Sequence, residues 1–466
     1  MITNTIRFFY PDLKKEEVKK FGLLSLAFFF LVGAYWMLRL LKDTIFFKIA
    51  FPEDLGWIAG QGGKFQPIAK TYSVFVVILL VLIYSKLVDI FEKHVLFYII
   101  CSFYTGIFAT ITGILLYRDW YGDAAIGKIP LAAMGWASYF AIESFGSIVV
   151  ALFWSFVASI TDTEAAKKGY PLIIAGAQIG SIGGSVLTIF AEELGGIWRL
   201  LLLSTIFVAT IMAVIYYFMK VMPESQLVGN KESAKSEKHK EGFIKGFVSG
   251  ITLLLTRSYL LGILVISTFY EVVGTIIDYQ MKRQAEIFPA FASETGFAKF
   301  MGIFGAASNG LAFLMALLGT SYLMKRYGLT FCLLLYPVCL GIAMTALFAF
   351  YTYGSPTAAH LLWATFGVMM LTKGLSYAVN NPSKEMMYIP TSKDAKFKSK
   401  GWIDSFGGRV AKMGGAQVSN QFKHNLADLM LYGSALSLGL IGIWIYVALY
   451  VGRTNRKLIQ EGKIVG

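Results

Sequence analysis

The chain has 466 residues, of which 56% are hydrophobic and 15% charged, and its mean hydropathy is +0.62. A balance this apolar excludes a soluble domain and fits a polytopic membrane protein. The formal charge of +14 does not point to nucleic acid, because most of the cations fall in short segments between apolar runs or near the ends.

A bilayer core of about 30 Å needs roughly 20 helical residues to cross it. The first such run covers 21–50 and follows a mixed segment carrying Lys14, Lys15, Lys19 and Lys20 with Asp12, Glu16 and Glu17. It is too long for the apolar core of a signal peptide, so it is expected to be uncleaved, with no transit peptide. Further runs of spanning length follow at 67–84, 95–117, 131–160, 171–191 and 198–222. A polar linker at 223–246 carries Lys231, Lys235, Lys238 and Lys240 and has no apolar period, so it is expected to be solvated. A short amphipathic piece at 247–255 is expected to lie along the interface. Six more runs occupy 259–281, 297–324, 329–353, 361–381, 401–422 and 429–451. The eleventh is the most polar, with Asp404, Arg409 and Lys412 inside it.

The expected fold is therefore all-α, with about 12 transmembrane helices in two six-helix halves, 1–222 and 247–466. Cations concentrate on alternate sides: Lys86 and Lys93, Lys167 and Lys168, Lys325 and Arg326, Lys393 to Lys400, and Arg453 to Lys457. The positive-inside rule then places both termini in the cytoplasm, consistent with a multi-pass protein of the inner (cytoplasmic) membrane. Sliding the chain by about 232 residues lays Asp162 over Asp394, Gly169 over Gly401 and Gly176 over Gly408. Parallel repeats of six helices are the logic of the major facilitator architecture, which gathers helices one, four, seven and ten around a central cavity.

Each of those four helices holds a charge deep in its apolar run: Arg39 and Lys42, then Glu143, Glu271 and Lys373. Ionisable residues inside a spanning helix are costly and rare, and mark functional sites by default. Tyr35, Arg39 and Lys42 lie three to four residues apart, which places a ring and two cations on one face, suited to an anion. The plainer account is a set of buried structural ion pairs. Lys70 is expected at the cavity mouth, Lys86 to snorkel at a helix end, and Asp278 with Lys282 to pair at helical spacing. Gly176, Gly180, Gly183 and Gly184, and Gly407, Gly408, Gly414 and Gly415, match no phosphate-binding loop; their spacing favours close helix packing. Trp36, Phe145, Tyr270 and Tyr377 read mainly as packing or interface aromatics, with room for one or two to stack on a base. Cys101, Cys332 and Cys339 all sit in apolar runs and the four histidines are unpaired, so neither disulfide, metal nor cofactor is expected. No nucleophile-base arrangement is visible, so an enzyme is not expected.

Several stretches carry a family resemblance: Leu38-Arg39-Leu40-Leu41-Lys42-Asp43, Glu143-Ser144-Phe145-Gly146-Ser147, Phe153-Trp154, Glu271-Val272, Phe300-Met301-Gly302, and Pro382-Ser383-Lys384-Glu385-Met386-Met387-Tyr388-Ile389-Pro390. With these the chain resembles the ATP/ADP translocases of obligate intracellular bacteria and plastids. The resemblance implies a twelve-helix carrier exchanging ATP for ADP, and positions matching the family's charged residues at Arg39, Lys42, Lys70, Glu143, Glu271, Lys384 and Glu385, with Arg409 and Lys412 less specific. The chain departs from the family pattern at Gly274, Thr275 and Ile276 after the helix-seven glutamate, and at Ser376 and Asn381.

The expectation is a nucleotide antiporter working by alternating access, taking ATP, ADP and phosphate, embedded in the lipid bilayer, without nucleic acid partners, and acting as a monomer. Arg39, Lys42 and Lys70, with Lys384 or Lys412, would hold the polyphosphate, while Glu143 and Glu271 would act as gates. Proton-coupled or exchange import of other nucleotides or NAD stays open, as does, from another class, a membrane scaffold or enzyme.

Overall fold

In hydrocarbon no water is available to backbone amides, so apolar runs must close their hydrogen bonds internally, and helices result. The computed structural model describes residues 15–223, 227, 243–318 and 320–465. Lys14 and most of the 223–246 linker, with Lys231, Lys235, Lys238 and Lys240, lie outside the described residues. Among the described residues, twelve helical stretches follow the order of the expected runs. They are α1 (Lys15–Thr44), α2 (Gln61–Ile90), α3 (Lys93–Tyr121), α4 (Lys128–Ser159), α5 (Thr163–Ile189) and α6 (Ile197–Val221), then α7 (Ser258–Ile287), α8 (Glu294–Leu318) and α9 (Thr320–Tyr353). Next come α10 (Ala358–Leu375, continuing through a π turn, Ser376–Asn380, into Asn381–Met387), α11 (Gly408–Gln421) and α12 (Leu426–Gln460). A helix at Phe243–Thr256 precedes α7, where the amphipathic piece was expected, and another, Lys393–Trp402, leads through a π turn, Ile403–Gly407, into α11.

Among the described residues, 10 helices are long and apolar enough to cross a membrane. The two stretches outside that set are α10 and α11. Both are interrupted by π turns, and both carry cations: Lys373 and Lys384 on the first, Arg409 and Lys412 on the second. Gly328, with φ 78°, breaks α9 near its start, a left-handed conformation that glycine adopts at little cost.

The described residues fall into two compact units. The first draws on Met1–Gly62, Phe75–His239 and Ala290–Asn309, and the second on Gly63–Val74, Lys240–Pro289 and Gly310–Gly466. In the first, α1 lies against α5 with almost no side chain between them: a Cβ on Gly180 would run into the Phe29 carbonyl oxygen, and one on Gly184 into that of Gly33. Such contact gains dispersion energy where lipid offers no hydrophobic drive between helices. The glycine run is thus a packing surface, as its spacing suggests. Gly183, one position away, faces open space. Phe28 stacks on Phe153 at 4.2 Å, and Phe145 meets Tyr104 and Phe108 edge-on, so Phe145 is core.

In the second unit α7 is flanked by α10, α11 and α12. Gly415 of α11 approaches the Val272 carbonyl, with 2.6 Å left for a Cβ, again requiring glycine. The far half of α7 is unusual for a membrane helix: Thr275, Asp278, Gln280, Lys282, Arg283, Gln284 and Glu286 are all buried. Polar groups at such depth persist only with partners. Gln280 donates to the Leu429 carbonyl at 2.9 Å, Gln284 to Thr365 Oγ1 at 3.0 Å, and Arg283 pairs with Glu286.

Both helices that the sequence repeat aligns begin at a side-chain N-cap. Asp162 accepts a hydrogen bond from the Ala165 amide at 2.8 Å, and Ser392 accepts one from Ala395 at 3.1 Å. These N-caps align Asp162 with Ser392 rather than with Asp394, two residues from the register read off the sequence.

Candidate functional site

The cations and carboxylates singled out by sequence gather into one cluster in each unit. In the first, Lys42 closes the last turn of α1, where a cation meets the negative end of the helix dipole, and the chain passes directly into a π turn, Ile45–Ile49. Such turns recur at functional sites, because the irregular ladder re-aims side chains. Lys42 is 6% exposed. Its ammonium pairs with Glu143 of α4, lies 3.9 Å from Asp43, and sits 4.5 Å from the Tyr139 ring centroid. One turn earlier the Arg39 guanidinium lies over Trp36 at 4.9 Å. Tyr35 packs where a side chain on Gly146 would sit, so the glycine three residues after Glu143 lets α1 approach α4 at the pair.

The second cluster is richer in cations. Glu271 on α7 accepts a hydrogen bond from the Tyr270 hydroxyl at 2.8 Å and lies 3.7 Å from Lys412 of α11. Lys384, beyond the π turn of α10, stands 4.2 Å from the Tyr270 ring centroid. Two turns along α7 from Glu271, Asp278 binds Lys282 at 2.6 Å and Lys70 of α2 at 3.7 Å. Lys373 acts electrostatically on both Glu271 and Asp278, which links the two groups. Lys70, Lys282, Lys373, Lys384 and Lys412 thus act on Glu271 and Asp278, and Asp404 acts on Lys384 as well.

The expected Asp278–Lys282 pair is present, and Lys70 joins it. Glu385 lies apart, exposed, 2.5 Å from Lys400. Arg409 is half-buried, one turn before Lys412. Sequence reasoning treated Tyr270 as packing and did not single out Tyr139. Tyr270 binds Glu271 through its hydroxyl and Lys384 through its ring, and neighbours in sequence do not normally face each other on a helix, so periodicity gave no signal. Trp36 carries a cation, and Tyr377 is exposed. Among the described residues no group of His, Cys, Asp and Glu has the makings of a metal site; Cys101 and Cys332 are free and buried, and Cys339 is free and half-buried.

The chain is 28% identical over 487 residues to ADP,ATP carrier protein 2, chloroplastic, of Arabidopsis thaliana, covering 95% of this chain and 76% of that one. It is 26% identical over 491 residues to ADP,ATP carrier protein 1 of Chlamydia pneumoniae, covering 95% and 92%. In fold it resembles a solved nucleoside transporter, a point mutant of NupG, with a TM-score of 0.61 at 15% identity, over 93% of this chain and 99% of that chain. That likeness is one of architecture, of the major facilitator kind. The profile described as TLC ATP/ADP transporter matches residues 2–119 and 132–454. The chain therefore belongs to the TLC ATP/ADP transporter family, and is a multi-pass membrane transporter rather than an enzyme.

Proposed function

We propose that this protein exchanges ATP for ADP across a membrane by alternating access, with the two charged clusters as the nucleotide-binding groups. The observation that carries the reading is the gathering of lysines around Glu271 and Asp278, on a chain whose relatives are named ADP,ATP carriers. Lys70, Lys373, Lys384 and Lys412 offer phosphate oxygens several ammonium donors in the second unit, and Arg39 and Lys42 offer cations in the first. Glu143 and Glu271 serve as internal counter-ions. Each holds a lysine while no nucleotide is bound and yields it to a phosphate oxygen on binding, which limits cation repulsion within the empty site.

Exchange needs no hydrolysis. Swapping ATP for ADP moves about one net charge, which a membrane potential biases by roughly 2.3 kcal/mol per 100 mV. That is close to a fifty-fold bias in the nucleotide ratio. We place the carrier in an inner membrane with both termini cytoplasmic, on the strength of its lysine distribution.

The test is uptake of labelled ATP, GTP and NAD by proteoliposomes preloaded with ADP or left empty, with and without an imposed potential. Saturable ATP uptake that requires internal ADP and follows the potential supports the proposal. Uptake into empty vesicles driven by a pH gradient replaces it with proton-coupled import, and no saturable uptake of any nucleotide refutes both.

A further inference from the structure

We propose that the helix Lys393–Trp402, between the ends of α10 and α11, is a docking surface for anionic phospholipid. Successive residues on an α-helix turn by about 100°, so Lys393, Lys396, Phe397 and Lys400 fall within an arc of roughly 100°. The opposite side holds Ala395 and Ser399, both buried, with Trp402 beside Gly250 of the helix Phe243–Thr256. The inner face is therefore already packed. The outer one presents a phenyl ring that is 81% exposed, flanked by exposed Lys393 and Lys396 and half-buried Lys400.

Two ion pairs limit the free charge. Lys400 is held by Glu385 at 2.5 Å, and Lys398, on the flank, by Asp394 at 3.0 Å. Among the described residues, Lys393 and Lys396 have no carboxylate within ion-pair distance. Their ammonium groups suit any phosphate, whether of a lipid headgroup or of a soluble nucleotide. Phe397 decides between them: a ring standing in water gains nothing from a soluble phosphate, but gains by entering the boundary between headgroups and acyl chains. The helix is also held by its ends, since it starts six residues after Met387 ends α10 and runs on into α11.

The first half supplies an internal comparison. Aligned by their N-caps, the positions matching Lys393, Lys396, Phe397 and Lys400 are Thr163, Ala166, Lys167 and Tyr170. That set has a single lysine, and it pairs with Glu164 at 2.8 Å. The repeat therefore carries the cation and ring combination once, in the second half.

The experiment places a nitroxide at Phe397→Cys in a background of Cys101→Ala, Cys332→Ala and Cys339→Ala, in nanodiscs of phosphatidylcholine with or without phosphatidylglycerol. Collision with oxygen against a water-soluble nickel complex reports depth. With phosphatidylglycerol the label is expected to be immersed; with phosphatidylcholine alone it stays in water. Adding Lys393→Gln and Lys396→Gln should lower the immersed-to-exposed ratio roughly thirty-fold, from a contribution of about a factor of five per cation. A label at Lys167→Cys is expected to ignore lipid charge. Water exposure in both lipids overturns the proposal, and so does equal immersion in both. Protection by ATP in phosphatidylcholine alone would assign the surface to soluble phosphate instead.

Discussion

The Lys42–Glu143 pair separates a binding site from a structural staple. Lys42 is 7% exposed in its side chain and Glu143 33%, so the two single substitutions are unequal. Glu143→Gln leaves a buried ammonium with only Asp43 and the Tyr139 ring near it, and loss of a partner from a buried pair costs about 3–5 kcal/mol. Lys42→Gln leaves a carboxylate at the wetter end, which water screens, and about 1–2 kcal/mol is the expected loss. Replacing both by Gln removes both charges, so the double variant should recover most of the stability, with a coupling of at least about 2 kcal/mol. Nucleotide uptake should behave differently. If Lys42 holds phosphate, the double variant regains its thermal stability in detergent yet stays about ten- to a hundredfold slower in ATP exchange, as expected for losing a charged contact of about 1.5–3 kcal/mol. A double variant that recovers stability and transport together would show the pair to be a staple alone and remove Lys42 from the site.

Further outcomes follow from particular contacts. Lys412→Gln, at an exposed position 3.7 Å from Glu271, is expected to leave folding intact and raise the KM for ATP by about tenfold, through loss of one charge-assisted bond, measured in the same proteoliposomes; an unchanged KM excludes Lys412 from phosphate binding. Tyr270→Phe keeps the ring under Lys384 but removes the donor to Glu271, so exchange should slow by roughly tenfold and Tyr270→Leu should be worse; equal rates for the two would mean the ring is idle. Arg118 donates to Glu294 through two nitrogens, at 3.0 and 2.6 Å, and also binds Asp123. Arg118→Lys keeps the charge but not the fork, so the melting temperature should fall, and a neutral result would show that the geometry is unimportant. Gly184→Ala puts a Cβ into the Gly33 carbonyl, whereas Gly183→Ala meets nothing within 4 Å; the first should destabilise by about 1–3 kcal/mol and the second should be neutral, and similar melting points would refute the packing argument.

Helix order was legible because a span's length is set by the bilayer: every expected run has a helix in it among the described residues, and 10 of these helices are long and apolar enough to cross a membrane. The π turns were not. Ser376–Asn380 and Ile403–Gly407 contain no proline, and an extra residue in a turn leaves composition unchanged while it shifts every later side chain around the axis. That shift made Lys384 and Lys412 uncertain in the sequence, since their faces depend on what precedes them. Charged residues at helical spacing, such as Asp278 with Lys282, could be paired directly. The partner of Lys70 could not, because α2 and α7 meet through tertiary packing that no local period records.

The placement of the two glutamates bears on the transport cycle. A site made of lysines alone binds ATP tightly, but it repels itself once the nucleotide leaves, and a carrier that cannot reorient empty is the formal requirement for strict exchange. On the proposed reading Glu143 and Glu271 reduce that repulsion, and the strength of each pair would set how nearly exchange is obligatory. Glu143 holds a buried lysine, whereas Lys412 is exposed and 3.7 Å from Glu271. The second pair is therefore the weaker counter-ion. Glu271→Gln should leave the lysines around it uncompensated and make transport more strictly dependent on internal ADP, while ATP binding tightens. Counterflow and efflux rates, measured on the same vesicles, read the two effects separately. Faster efflux without external nucleotide in Glu271→Gln would show that the carboxylate is not the counter-ion of the empty carrier.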